Sequence, residues 1–257
     1  MKRFFLFILL TAAVVFGAAA QDAASIVRAA RDRINADTIS SRSRMIITSK
    51  SGSASERLID QYSKDGPKGS RTVVVFQRPA NVENTRFLTM EAGGGSNDQW
   101  IFLPALGKVR RIAASEGSGS FVGTDLSYDD VSSADRDADL DTHTLLREET
   151  LNGKVCYVIE SKPKDSSYQY SKMVQWIGKD DKVDYKVELF DKKGIHVKTL
   201  DILELKNVQG RLSPVKTRMT TLAAGTSTTI NVEILKYDDP IPEQVFTTSF
   251  LERGRVQ

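Results

Sequence analysis

The sequence predicts a mainly β fold with some helix (α+β), built as one antiparallel sheet in a single domain. Three observations carry this reading. Strand-like runs follow one another from Arg44 to Tyr237, with turn residues between them. Asn152-Gly153 stands between two such runs, and Asn-Gly is the strongest short hairpin signal because both turn positions need positive φ. Several runs alternate apolar and polar residues, as a sheet with one wet face requires. Strands and helices do not alternate, which argues against a doubly wound nucleotide-binding fold.

The first residues read as an address. Met1-Lys2-Arg3 is cationic, Phe4 to Phe16 is apolar but for Thr11, and Ala18-Ala19-Ala20 is a small-residue cleavage site. That is the three-part pattern of a secretory signal peptide. A membrane anchor is the alternative, but the run is shorter than the ~20 apolar residues a span needs. The expected division is a signal peptide over 1–20 and one domain over 21–257. The mature chain then starts near Gln21, is soluble without detergent and resides in the periplasm. No cysteine follows the small residues, so lipidation is not expected.

A helix comes next, because Ile26, Val27, Ala30 and Ile34 fall at helical spacing, with Asp22 or Ser25 as its cap. Strands follow at Met45–Thr48, Arg57–Tyr62, Thr72–Phe76, Phe87–Met90 and Trp100–Leu103. Gly93-Gly94-Gly95 reads as a hairpin tip, since neither a helix nor a lysine follows it to cradle phosphate. In the second half, strands are expected at Glu148–Leu151, Val155–Glu160, Lys172–Ile177, Asp184–Phe190, Val197–Lys206, Ser213–Leu222 and Thr228–Tyr237. Ile230, Val232 and Ile234 are expected on one face of their strand, and Tyr185, Val187 and Leu189 on one face of theirs. A single sheet of this length must curl around something to cover its apolar face. Residues 104–147 are the non-repetitive part, glycine- and serine-rich and then acidic, and a segment of that kind is usually functional.

Composition narrows the function. The formal charge of +3 falls to +1 without Lys2 and Arg3 (3 − 2), so nothing electrostatic argues for nucleic acid. The 40% hydrophobic content is enough for a substantial core. The lone Cys156, between Val155 and Tyr157, is expected to be buried and not a reactive thiol. The two histidines, His143 and His196, come without a glycine-flanked serine elbow, so a hydrolase is disfavoured. Asp137, Asp139, Asp141 and Glu148 match positions 1, 3, 5 and 12 of a calcium loop. Thr142 stands where that loop needs glycine, so a solvated acidic loop is preferred. No metal, cofactor or catalytic residue is assigned, and the chain is not read as an enzyme.

One stretch carries a resemblance. It runs from Trp100-Ile101-Phe102-Leu103-Pro104-Ala105-Leu106-Gly107-Lys108-Val109-Arg110-Arg111-Ile112 through Ser118-Gly119-Ser120-Phe121-Val122-Gly123-Thr124-Asp125-Leu126-Ser127-Tyr128-Asp129-Asp130. It resembles the outer-membrane lipoprotein-sorting family, the LolA-like proteins. It looks most like the branch associated with lipid exporters of the resistance-nodulation-division (RND) class. The resemblance covers nearly the whole mature chain. It implies an incomplete, strongly curved antiparallel barrel with helices lying across the concave face. It also implies a carrier that holds acyl chains of lipids or lipoproteins in a hydrophobic cavity on the way to the outer membrane. The implied partners are an inner-membrane transporter, of RND type, and an outer-membrane acceptor. A lipid-sensing adaptor of such a transporter is the competing reading.

The cavity is expected on the face of Trp100 and Phe102, because two aromatics bring more apolar surface than Ile101 and Leu103 on the other side. Met45, Ile47, Phe87, Trp176, Tyr185 and Met219 are the expected companions. Pro104 to Asp130 is expected to be a gate beside the cavity, outside the continuous sheet, with Phe121 and Tyr128 at the mouth.

Overall fold

The structure, a computed structural model, describes residues 15–66, 69–91, 97–134 and 136–255. The Gly93–Gly95 tip and most of the expected leader lie outside them. The chain begins with helix α1 (Val15–Arg31). Six strands follow: β1 (Thr38–Thr48), β2 (Ala54–Lys64), β3 (Arg71–Arg78), β4 (Arg86–Glu91), β5 (Asn97–Leu103) and β6 (Lys108–Arg111). A link over residues 112–140 carries the short helix α2 (Tyr128–Ser132). Seven more strands complete the sheet: β7 (Asp141–Leu151), β8 (Lys154–Pro163), β9 (Lys172–Gly178), β10 (Asp184–Phe190), β11 (His196–Val208), β12 (Arg211–Thr221) and β13 (Thr226–Tyr237). Helix α3 (Thr248–Arg253) closes the described chain.

Among the described residues there is one sheet of 13 strands, ordered β6-β5-β4-β3-β2-β1-β13-β12-β11-β10-β9-β8-β7, and every pair is antiparallel. It is two meanders joined where β1 pairs with β13, Met45 opposite Ile230. The free edges are β6 and β7, so the sheet is an open half-barrel. The Asn152-Gly153 turn joins β7 to β8 with both residues at positive φ, 50° and 81°, as expected.

This order explains the link. The chain leaves β6 at one edge and must re-enter as β7 at the other, so residues 112–140 cross one face of the sheet, here called the inner face. Hydrogen bonds fasten them on the way. Asp125 accepts from Thr226 and from Thr228 on β13 (2.8 Å), and Asp130 accepts from Lys198 on β11 (2.7 Å). Ser127 and Asp130 form a capping box at the start of α2. The expectation that Pro104–Asp130 lies outside the sheet is corrected at Lys108–Arg111, which pairs with β5 as β6.

Two β-bulges correct the expected faces. A register shift at Asp184/Lys186 sends Val187 and Leu189 inward while Tyr185 packs outward beside Trp176. A second shift, at Arg42/Ser43, lets Ile230 face the inner core while Ile234 stands exposed. An extra residue in one strand reverses the alternation beyond it.

Helix α1 also departs from expectation at its start. It runs from Val15 through the expected Ala20/Gln21 cleavage site, so Asp22 and Ser25 lie inside it and not at its start. Ala18-Ala19-Ala20 are strong helix formers and continue the helix. Ala23, Ile26, Val27 and Ala30 lie at i, i+3, i+4 and i+7, and they pack on Ile159, Ile177 and Leu145 of the inner face. The segment after β13 crosses the outer face of β3–β5, where Val245, Phe246 and Leu251 are buried.

Candidate functional site

The inner face is treated differently in its two halves. Over β1–β5 it is filled. Phe121 and Tyr128 from the link meet Phe76 and Phe87 from the sheet, with ring centroids 5.2–5.7 Å apart. Phe76, Phe87 and Phe121 are at most 1% exposed. Over β9–β13 the same face is hollow. A cavity of about 460 Å³ lies there, roofed by α1 and flanked by residues 130–138 of the link. Its apolar walls include Val27, Ile34, Val187, Leu189, Leu200 and Met219. The hollow exists because α1 packs toward the β7–β9 edge and leaves β10–β12 uncovered beneath it.

The walls also carry polar groups. His143 of β7 is buried, with Nε2 2.8 Å from the Ala138 carbonyl and Nδ1 2.8 Å from Ser161 Oγ. Ser161 Oγ lies 2.8 Å from Gln175 Oε1, and Gln175 Nε2 donates to Asp184 Oδ2 at 2.7 Å. The Asp184 carboxyl lines the cavity, yet burial pushes its pKa up to about 7, against the Gln175 hydrogen bond and the charge of Arg33. Arg33, just after α1, also lines the cavity and donates to Leu212 O at 2.5 Å, and burial lowers its guanidinium pKa. Tyr170 donates to Asp130 at 2.7 Å, and burial first, then Asp130, holds its hydroxyl well above the usual range. Burial takes Tyr168 to about 12.

The residues expected at the cavity fall in four places. Met219 lines it. Met45 and Phe87 belong to the filled half. Ile47 lines a separate, shallower hollow with Gly123 and Thr226. Trp100, Phe102, Trp176 and Tyr185 are on the outer face and away from the cavity. Trp100 and Phe102 lie under the C-terminal segment, and Arg86, whose guanidinium sits 4.4 Å from the Phe102 ring, bonds Leu251 O at 2.7 Å. Trp176 and Tyr185 are covered by cationic side chains, with Lys186 4.4 Å above Trp176. The link fixes which face is inner on β5: Gln99 bonds Asp129 and Ser132 of it, so Ile101 and Leu103 share that face and Trp100 does not. Phe121 and Tyr128 are a plug in the filled half, while the link residues at the cavity are Asp130, Ser133, Ala134 and Arg136 to Ala138.

Sequence reasoning missed Asp184, Gln175, His143 and Arg33. The available signal was the inward row of β9, Met173-Gln175-Ile177, which mixes a polar residue into an otherwise apolar line. The acidic quartet is engaged locally. Asp137 caps a 3-10 turn, Asp139 pairs with Arg28, Asp141 with Arg136 and Glu148 with Lys179.

The comparisons agree with this architecture. A family model described as "-like: Uncharacterized protein" matches residues 68–253. A DUF1329 family protein from Desulfovibrio piger is 30% identical, with 91% of this chain and 99% of that one covered and a TM-score of 0.86. An outer-membrane lipoprotein-sorting protein domain from Vibrio parahaemolyticus is 29% identical, over 91% and 100% of the chains, with a TM-score of 0.85. The chain belongs to the LolA-like family. A LolA superfamily protein from Nitrosomonas europaea, 21% identical over 89% and 98% of the chains, shares the LolA-like fold at a TM-score of 0.72. No curated protein matches. No helix among the described residues of this LolA-like chain is long and apolar enough to cross a membrane.

Proposed function

We propose that the chain is a periplasmic carrier that holds acyl chains of lipids or lipoproteins in the cavity beneath α1 on their way to the outer membrane. The observation that carries this is the hollow itself. At about 460 Å³, with a row of aliphatic residues among its walls, it falls within the ~300–1,000 Å³ of small-molecule sites. Each CH₂ moved from water into such a site gains ~0.8 kcal/mol, so ten gain roughly 8 kcal/mol before ordering costs. The lipoprotein-sorting relative supports the same direction.

Helix α1 is the element that would move. Arg28–Asp139 (2.7 Å) and Arg31–Asp137 (3.6 Å) fasten it to the link, and both pairs are exposed. Exposed pairs hold with ~0–1 kcal/mol each, so the main cost of lifting the roof is uncovering Ala23, Ile26, Val27 and Ala30 from the sheet. An inner-membrane transporter, of RND type in the branch that the sequence resembles, is the donor in this reading, with an outer-membrane acceptor. The leader 1–20 delivers the chain to the periplasm, and no catalysis is assigned.

The test is organic extraction of protein purified from periplasm, followed by titration of a fluorescent fatty acid into the emptied protein. A near-stoichiometric acyl species and saturable binding are expected. An extract without acyl species, together with no probe binding, would rule the carrier out.

A further inference from the structure

One line of hydrogen bonds runs along the cavity wall: Ala138 O, His143, Ser161, Gln175, Asp184, each step 2.7–2.8 Å. A carbonyl only accepts, so His143 Nε2 carries a proton. Ser161 has a single hydroxyl proton and two neighbours able to take it, His143 Nδ1 and Gln175 Oε1. With Oδ1 of Asp184 unprotonated, two arrangements satisfy every bond. In the first, His143 carries both ring protons, Ser161 donates to Gln175, and Gln175 donates to an ionised Asp184. In the second, the serine and the amide are reversed, Nδ1 accepts from Ser161, and a protonated Oδ2 of Asp184 donates to Gln175. His143 and Asp184 together carry no net charge in either. In both, Asp184 keeps one oxygen, Oδ1, as an acceptor, and it has no hydrogen-bond partner among the described residues.

Arg33 is the complement. It lines the same cavity, spends one N–H on Leu212 O, and its other N–H groups have no hydrogen-bond partner among the described residues. The remaining charges around the cavity are paired: Arg31 with Asp137, Arg136 with Asp141, and Lys198 with Asp130. Beside its aliphatic residues and its paired polar ones, the hollow therefore presents one spare acceptor and one set of spare donors. A head group with only acceptors leaves Asp184 unsatisfied, and one with only donors leaves Arg33 so.

We propose that the cavity selects amphiphiles whose polar group both donates and accepts a hydrogen bond, a hydroxyl or an amide, with Asp184 accepting and Arg33 donating. This rests on the carrier reading and names the class of cargo it prefers. The carboxyl's soft terminal torsion lets Oδ1 turn to a donor that enters beside the acyl chain.

The experiment uses the purified full chain and displacement of a fluorescent fatty acid. The competitors are hexadecanol, hexadecanamide, methyl hexadecanoate and hexadecanoate. The alcohol and the amide are expected to displace the probe at about tenfold lower concentration than the ester, the factor one hydrogen bond of ordinary strength gives. Asp184→Leu should bring the three neutral competitors within about twofold of one another. Asp184→Asn, which can still accept from Gln175, provides a second folded variant and should do the same. Equal displacement by all three in the unmodified protein, or an advantage surviving in either folded variant, overturns the inference and leaves the carrier standing. Hexadecanoate outcompeting the rest, with dependence on Arg33→Gln alone, overturns it in favour of an anionic head. Failure of the unmodified protein to bind the fatty-acid probe or any competitor removes the carrier reading, and the inference falls with it.

Discussion

The two halves of this sheet share the same antiparallel pairing, yet one is solid and the other hollow. The β1–β6 half is covered on both faces, by Phe121 and Tyr128 of the link inside and by Val245, Phe246 and Leu251 outside. The β8–β12 half has only α1 and the edge of the link on its inner side, and cationic stems laid over Trp176, Tyr185 and Phe190 on its outer side. Sheet curvature alone therefore does not make a cavity. What decides is where the connection between the two edges deposits its aromatic side chains.

The sharpest way to break this contrast is Phe121→Ala. In a filled core, a large-to-small aromatic deletion costs ~3–5 kcal/mol. Denaturant unfolding should report that loss, while molecules still folded bind a fatty-acid probe within about twofold of the unmodified protein. A strong binding defect with intact stability would place function in the half assigned here to support.

Second in size is the pH dependence of the hollow half. The Asp184 carboxyl rises from 3.8 to about 7 on folding. A raised acid binds more protons folded than unfolded, so its contribution is fully present below about pH 4. That contribution is lost as pH rises through about 7. At ~1.4 kcal/mol per pH unit of displacement the loss reaches a few kcal/mol. Thermal unfolding of Asp184→Asn should therefore lose much of the decline seen between pH 4 and 7. Parallel curves for the two proteins would show that the carboxyl is not held in an apolar setting.

Leu200→Trp should act on binding and hardly on folding. It fills empty space under α1, so acyl affinity is expected to fall at least about tenfold, ~1.4 kcal/mol, with the melting temperature little changed. A tryptophan that unfolds the protein would mean that the space is already occupied by its own walls. The smallest effect concerns the outer cover of the solid half. Thr247 caps α3 by accepting from Phe250 N at 3.1 Å. Thr247→Ala should cost ~1 kcal/mol by chemical denaturation and leave acyl binding unchanged.

Much of the fold was legible. Period-two alternation, Asn152-Gly153 and the early helical stripe identify the strands, one hairpin and α1. Of the stretch 104–147 read as irregular, residues 112–140 do leave the sheet, but Lys108–Arg111 and Asp141–Arg147 are strand. The path of the link was not visible, because a sequence does not state which strands are sheet edges. The site was less legible for two physical reasons. On β5 both faces are apolar, and aromatic area pointed to Trp100, whereas the outer face buries equally large residues under the C-terminal segment. On β10 a bulge reverses the alternation between Tyr185 and Val187, and nothing local in that run marks a bulge. Met219 lay on the cavity side because β12 keeps its register there against both neighbours.

The seam between β1 and β13 bears on how the molecule is made. Ile39 lies opposite Tyr237, 198 positions further along the chain (237 − 39). Each meander can zip locally, but the two have no common strand pair until the last strand has been synthesised. Closing so long a loop is a slow, late event compared with forming hairpins. A chain emerging from a ribosome or threading through a pore thus stays in two unjoined pieces until its C-terminal portion is free. The cavity, whose walls draw on both sides of that seam through Ile39 and Met219, is among the last features to take shape.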